Sequence, residues 1–220
     1  MVAGWTDGRW FQSSVAVIFG EMGDKVGEEF KKDREKLSGR PFDVNAMKAV
    51  APMMRDQWRA RLMLLEERLQ GGQGAGSGMY LVGMKPGLVD VHAYMNVWFM
   101  QQNLPDFLEK CFETADLTKA WFERLQEYEG QEPETISSKE ALDIGLHAAP
   151  RLVMATTKYE PQDIAPGDMV AVAPDDYGQV WVEGEIVHAD SQRVILQRLS
   201  EEAGTVHVHF PRAGFLVRRI

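Results

Sequence analysis

The hydrophobic period changes once along this chain, and that change constrains its fold more than any other feature. Up to about residue 147 the apolar residues recur every three to four positions; from Asp168 they alternate. The first period is that of an amphipathic helix, the second that of a half-buried strand. Helices followed by strands predict an α+β chain in separate domains, not an alternating α/β sheet. Between them, from about Tyr159, the composition turns Pro-rich. The predicted boundaries are a helical bundle over 1–155, a linker at 160–167 (EPQDIAPG) and a small β domain over 165–220.

Within the first part, residues 1–8 read as a polar lead-in. A helical pattern runs from Arg9 to about Leu37, but Gly20, Gly23 and Gly27 interrupt it. Each costs about 1 kcal/mol against Ala in a helix interior, so a kink, a break or a close helix contact is expected there. Ser38-Gly39-Arg40-Pro41 is a turn, and Asp43 is a good N-cap for a helix reaching about Gln70. Met47, Ala51, Met54, Trp58, Leu62, Leu65 and Leu69 form its apolar stripe. Pro52 should bend it. Arg55, Arg59, Arg61, Glu66 and Glu67 are read as its solvated face, with an anion or partner contact as the alternative. GGQGAGSG at 71–78 predicts a mobile loop.

The next stretch, Tyr80 to Phe99 (YLVGMKPGLVDVHAYMNVWF), is an apolar anchor, a Gly/Pro turn and a helix start. Asp90 lies three residues after Gly87, the spacing at which an N3 carboxylate reaches back to the N-cap N–H. Gly87 and Asp90 are therefore the predicted structural cap. Val91, Ala93, Met95, Val97, Trp98 and Phe99 make the helix apolar on more than one face, which places it at the centre of a bundle. Short helices at Pro105–Phe112 and Asp116–Tyr128 follow, then a last one at Ser138–His147, capped by Ser138 and closed by Pro150.

Leu81, Gly83, Pro86, Leu88 and Asp90 resemble the motif that opens the core helix in the C-terminal domain of glutathione transferases. The family usually places Ser or Thr at the cap, where this chain has Gly87. A bacterial subset of glutathione-transferase-like proteins is similar through both parts, carrying counterparts of SVAVIFGEMGDK, SGRPFDVNAMKAVAPMMRDQWRARL, PGDMVAVAPDDYG and VHFPRAGF. The resemblance implies an all-α bundle whose first helix lines a hydrophobic acceptor site. By position, Trp10, Phe11 and Ser14 would bind substrate there, though as core or interface residues they need no such role. The residues that hold glutathione would belong to a thioredoxin-like domain, for which this sequence shows no βαβ opening and no cis-Pro strand motif. No cofactor is expected in this chain, and glutathione only if that domain is supplied.

After the linker come five β-rich runs: MVAVA, QVWVEGEIVHA, RVILQRL, TVHVHF and FLVRRI. Five short strands in succession suggest a small closed SH3-like barrel. His207 and His209 share one face of the fourth run, and His188 could join them as metal ligands. No further ligand has matching spacing, so a polar outer face is the expectation and no metal is predicted. His92, on the central helix, reads as a satisfied core histidine.

Composition narrows the function. The formal net charge is −9, which argues against nucleic acid and anionic membranes as partners. No apolar run approaches the roughly 18 residues a membrane span needs. Cys111 is the only cysteine, so no internal disulfide forms, and a reducing, cytoplasmic setting is expected. Neither a phosphate-binding nor a zinc-protease motif is present. Two functions stand open. One is the acceptor-side half of a glutathione-transferase-like protein, inactive by itself. The other is a non-catalytic scaffold using its barrel for partner recognition. Expected partners are a small hydrophobic ligand, a second copy or another protein.

Overall fold

The computed structural model describes residues 2–71, 79–130, 133–151 and 163–220. The predicted loop at 72–78 and residues 160–162 of the predicted linker lie outside the described residues. Contacts group the chain into two units, Met1–Lys31 with Phe42–Glu132, and Lys32–Pro41 with Pro133–Ile220.

In the first unit, α1 (Val2–Trp5) runs through a π-helical turn (Thr6–Trp10) into α2 (Phe11–Met22). Residues 2–8 are thus helical and no polar lead-in. The reason is aromatic burial. Trp5 packs on Trp10 with ring centroids 5.2 Å apart, and Trp10 on Trp58 at 5.8 Å. The glycines do what their number suggests. A 3-10 turn at Gly23–Lys25 and an extended Val26 separate α2 from α3 (Glu28–Ser38). They also allow close approach to α4 (Val44–Leu69). A Cβ on Gly20 would stand 2.8 Å from the Met47 carbonyl oxygen, and one on Gly23 1.9 Å from Val44 Cγ1.

Helix α4 starts where Asp43 accepts a hydrogen bond from Ala46 N–H at 2.9 Å. Its stripe faces the core: Ala51, Trp58, Leu62, Leu65 and Leu69 are all buried. Glu66 departs from the solvated face expected for it. It is buried, and its carboxylate accepts from the N–H groups of Leu117 (3.1 Å) and Thr118 (2.7 Å) and from Thr118 Oγ1 (2.8 Å). Those N–H groups open α7 (Asp116–Gln126), where Ala115 offers no side-chain acceptor. A helix start needs such acceptors, and α4 supplies them.

Helix α5 (Leu88–Asn103) is not enclosed all round. Ala93, Val97 and Met100 are fully buried, while Leu88, Val91 and Trp98 face outward. With α6 (Pro105–Phe112) and α7, it completes a core centred on Trp10, Trp58, Trp121 and Phe122.

The second unit holds α8 (Ser138–His147) and five strands: β1 (Met169–Pro174), β2 (Val182–Ala189), β3 (Arg193–Ser200), β4 (Gly204–Pro211) and β5 (Phe215–Arg219). Helix α8 is capped one residue earlier than expected. Ser137 N–H donates to Glu140 Oε2 at 2.7 Å, and Glu140 N–H donates to Ser137 Oγ at 3.2 Å. The predicted helical domain ran to residue 155, but α8 groups with the strands, its Gly145 and Leu146 lying against Ala203 and Gly204. Ile164, inside the predicted linker, is buried in the sheet core.

All strand pairings are antiparallel, in the order β4-β3-β2-β1-β5. A bulge lies between Ile186 and His188. Val170, Val172, Ile186, Val194, Leu196, Phe210 and Val217 pack together on one side. The closed barrel expected from the sequence is not formed, because β4 and β5 remain the two edges. The rings of Phe210 and Phe215 meet at 5.6 Å, so the sheet curls toward closure. At the seam, however, Arg212 N–H goes to the Gln192 carbonyl and Phe215 N–H to the Arg212 carbonyl.

Candidate functional site

The geometry at the head of α5 is set by Asp90, whose side chain is fully buried. Oδ2 accepts from Gly87 N–H at 2.9 Å, the bond expected from the spacing. Oδ1 accepts from Leu81 N–H and from Trp121 Nε1–H, both at 2.8 Å. One carboxylate thus joins the anchor loop, the helix start and α7. The loop is held further by Arg124, which donates to the Met79 carbonyl at 2.7 Å and lies over the Tyr80 ring, and by Arg68, which donates to the Leu81 carbonyl at 3.2 Å. Gly83, at φ +106°, makes the turn in the left-handed region.

Beside this loop, between the start of α5 and the end of α7, lies a groove of about 480 Å³. Pro86, Leu88, Val91, Leu125 and Tyr128 form its walls, with Tyr94 and Glu129 at one side. The Tyr94 ring stacks on Phe122 at 4.9 Å, and its hydroxyl donates to Glu129 Oε1. Burial, and then that hydrogen bond, push the Tyr94 phenol above its ordinary range. A hydrogen bond with Tyr128 does the same to Tyr80. The groove is mostly apolar with a single fixed carboxylate, the composition of a small-ligand site.

The three residues assigned to substrate lie elsewhere, on the first helical stretch. Trp10 is fully buried, and its Nε1 has no hydrogen-bond partner among the described residues. Ser14 is fully buried too. Its hydroxyl accepts from Trp58 Nε1–H at 3.0 Å and donates to Asn96 Oδ1 at 3.1 Å, while Asn96 Nδ2 donates to the Thr6 carbonyl at 3.1 Å. Phe11 is half-buried and stacks on Phe99 at 6.0 Å. None of the three lines the groove.

Other candidates divide as follows. Cys111 is buried, and desolvation pushes its thiol up to about 11, with Arg59 opposing weakly. His92 is half-buried, its Nδ1 3.7 Å from Asp7 Oδ2, so it sits at the surface edge and not in the core. The strand register sets His188 and His209 each opposite Ile195, and His207 opposite Gln197. His188 Nε2 lies 2.8 Å from Asp190 Oδ2. Among the described residues no cluster of three His, Cys, Asp or Glu is arranged to hold a metal.

Comparison with solved structures places these features. The chain matches a GST-like protein from Pseudomonas syringae with a TM-score of 0.70 and 25% identity, over 99% of this chain and 67% of that one. The fold is GST-like. No protein-family model matches the chain, and no curated protein does. Among the described residues no helix is long and apolar enough to cross a membrane.

Sequence reasoning found Asp90 but not its long-range donors, and it missed Glu66, Tyr94 and Glu129. For Glu66 one signal existed: Ala115, ahead of α7, has no acceptor side chain. Tyr94 and Glu129 stand 35 positions apart with no local motif linking them.

Proposed function

We propose that this chain supplies the helical, ligand-facing part of a GST-like protein, and that by itself it binds small apolar molecules without catalysing thiol conjugation. The observation that carries the reading is the GST-like fold over 99% of the chain. The apolar groove at α5 and α7 supports ligand binding and gives it a place.

The groove's chemistry does not suit glutathione. That tripeptide carries two carboxylates against one ammonium, so its net charge is negative, while the groove holds the Glu129 carboxylate and no lining Lys, Arg or His to take either carboxylate. Like charges without a counter-charge repel most where water is excluded. Cys111 is no substitute nucleophile. The thiolate is the reactive form, and a thiol held near 11 stays protonated at neutral pH. In the family resemblance the thiol site belongs to a thioredoxin-like domain, not to the helical part. The lone cysteine supports a reducing, cytoplasmic setting.

A second reading makes the chain a scaffold, with the open five-stranded sheet as its recognition module. Its support is the exposed apolar surface there: Leu199 is 85% and Val180 74% exposed. Leu199 also borders a depression of about 420 Å³ with Met169 and Thr205. Exposed apolar patches of this kind recruit partners.

A turnover assay with glutathione and a reactive aromatic electrophile tests the first reading. The expected result is a rate equal to the uncatalysed background. Saturable turnover would overturn it.

A further inference from the structure

We propose that the groove at the start of α5 takes a small amphipathic cation, an apolar body bearing an amine. The inference deepens the reading above and rests on it for the groove's being a ligand site.

Two features of the lining select this class. The walls are apolar, and Leu88 and Val91 on α5 are 73% and 57% exposed, surface that an apolar body would remove from water. The volume of about 480 Å³ lies within the range that small-molecule pockets span. The charge of the lining is single and negative. Glu129 is its one carboxylate, and no Lys, Arg or His lines the groove. Tyr94 donates its hydroxyl to Oε1 of that carboxylate and so fixes its position, and Oε2 takes no hydrogen bond or ion pair among the described residues. Arg124 is not among the lining residues; it donates to the Met79 carbonyl and lies over the Tyr80 ring.

Each ligand class then fares differently. A carboxylate-bearing ligand would face Glu129 with like charge. A neutral one would gain from the walls but leave the exposed Glu129 carboxylate without a counter-charge. An amine does both jobs: its body covers Leu88 and Val91, and its N–H groups reach Oε2. The rings of Tyr94 and Tyr128 border the same space, and aromatic faces attract cations. The net charge of −9 favours approach of a cation from solution.

The test uses the full chain and three matched probes: phenylbutylamine, phenylbutanol and phenylbutanoate. Calorimetric titration at pH 7 should rank them in that order, the amine about threefold tighter than the alcohol, as a solvent-exposed ion pair would give. Glu129→Gln keeps an acceptor for Tyr94. It should lower amine affinity to that of the alcohol and leave the alcohol unchanged. Val91→Trp fills the groove and should abolish binding of all three. Thermal melts check that each variant is folded. Equal amine and alcohol affinity, both lost in Val91→Trp, would overturn the cation inference and leave the apolar-ligand reading standing. An amine preference that survives Glu129→Gln would overturn it as well. No binding of any probe would overturn both.

Discussion

In the helical unit, buried polar side chains reach far along the chain. Asp90 bonds Trp121 across 31 positions, Glu66 bonds Thr118 across 52, and Ser14 bonds Asn96 across 82. In the sheet unit they mostly stay close. Asp190 bonds His188, Gln192 and Arg193, all within three positions, and Ser200 bonds Ala203. The long tie there, Arg219 to Asp168 at 2.9 Å, lies at the surface. The difference follows from where each architecture satisfies its backbone. A helix closes its own hydrogen bonds except at its ends, so nothing in its ladder fixes one helix against the next. Side chains such as Asp90 and Glu66 serve the open ends and set that arrangement together. A sheet fixes register through the ladder itself, and its polar side chains are left to shape turns.

The comparison breaks most visibly at Asp90. Asp90→Ala should destabilise the helical unit by about 4 kcal/mol. It removes three hydrogen bonds to a charged group, each worth about 1.5–3 kcal/mol, and leaves Trp121 Nε1–H and Leu81 N–H buried without acceptors. Asp90→Asn keeps one acceptor oxygen and should lose about half as much. Denaturant melts followed by tryptophan fluorescence measure both. A change of 1 kcal/mol or less would reduce Asp90 to an ordinary helix cap.

A smaller effect is expected in the sheet. Asp190→Asn should cost about 1 kcal/mol at neutral pH, the net worth of a hydrogen bond in a part-exposed turn. Its pH dependence sharpens the contrast. The hydrogen bond from His188 first, then the N–H groups of Gln192 and Arg193, hold the Asp190 carboxyl down to about 2. A depressed folded-state pKa gives stability that is complete above the unfolded value, about 3.9, and is lost as pH falls from there to about 2. The gap between the native chain and Asp190→Asn should therefore be constant above pH about 5 and shrink below it. A gap that persists unchanged to pH 2 would assign the effect to packing.

Much of this was legible in the residues, and what was not has a common cause. The stripe on α4, the caps at Asp43 and Asp90, the break at Gly23 and the positions of the five strands are all local, and each appears where its spacing puts it. Glu66 read as solvent-facing because it sits beside Glu67 in a charged run; only the packing of α7 buries it. The open seam of the sheet lies in the tertiary placement of β4 and β5 at its two edges, which alternation does not encode. Trp10, Phe11 and Ser14 entered through a family's positions. The structure encloses Trp10 and Ser14 and leaves Phe11 half-buried. The groove joins residues from Pro86 to Glu129, which come together only when α5 and α7 pack.

The central claim is that the helical unit holds an apolar ligand and does not hold glutathione. A side-by-side calorimetric titration of the full chain with phenylbutanol and with glutathione tests it most directly. The account gives saturable heat for the neutral probe, lost in Val91→Trp, and none for glutathione at millimolar concentration. Micromolar glutathione binding, or an apolar probe that binds Val91→Trp as well as the native chain, would contradict it.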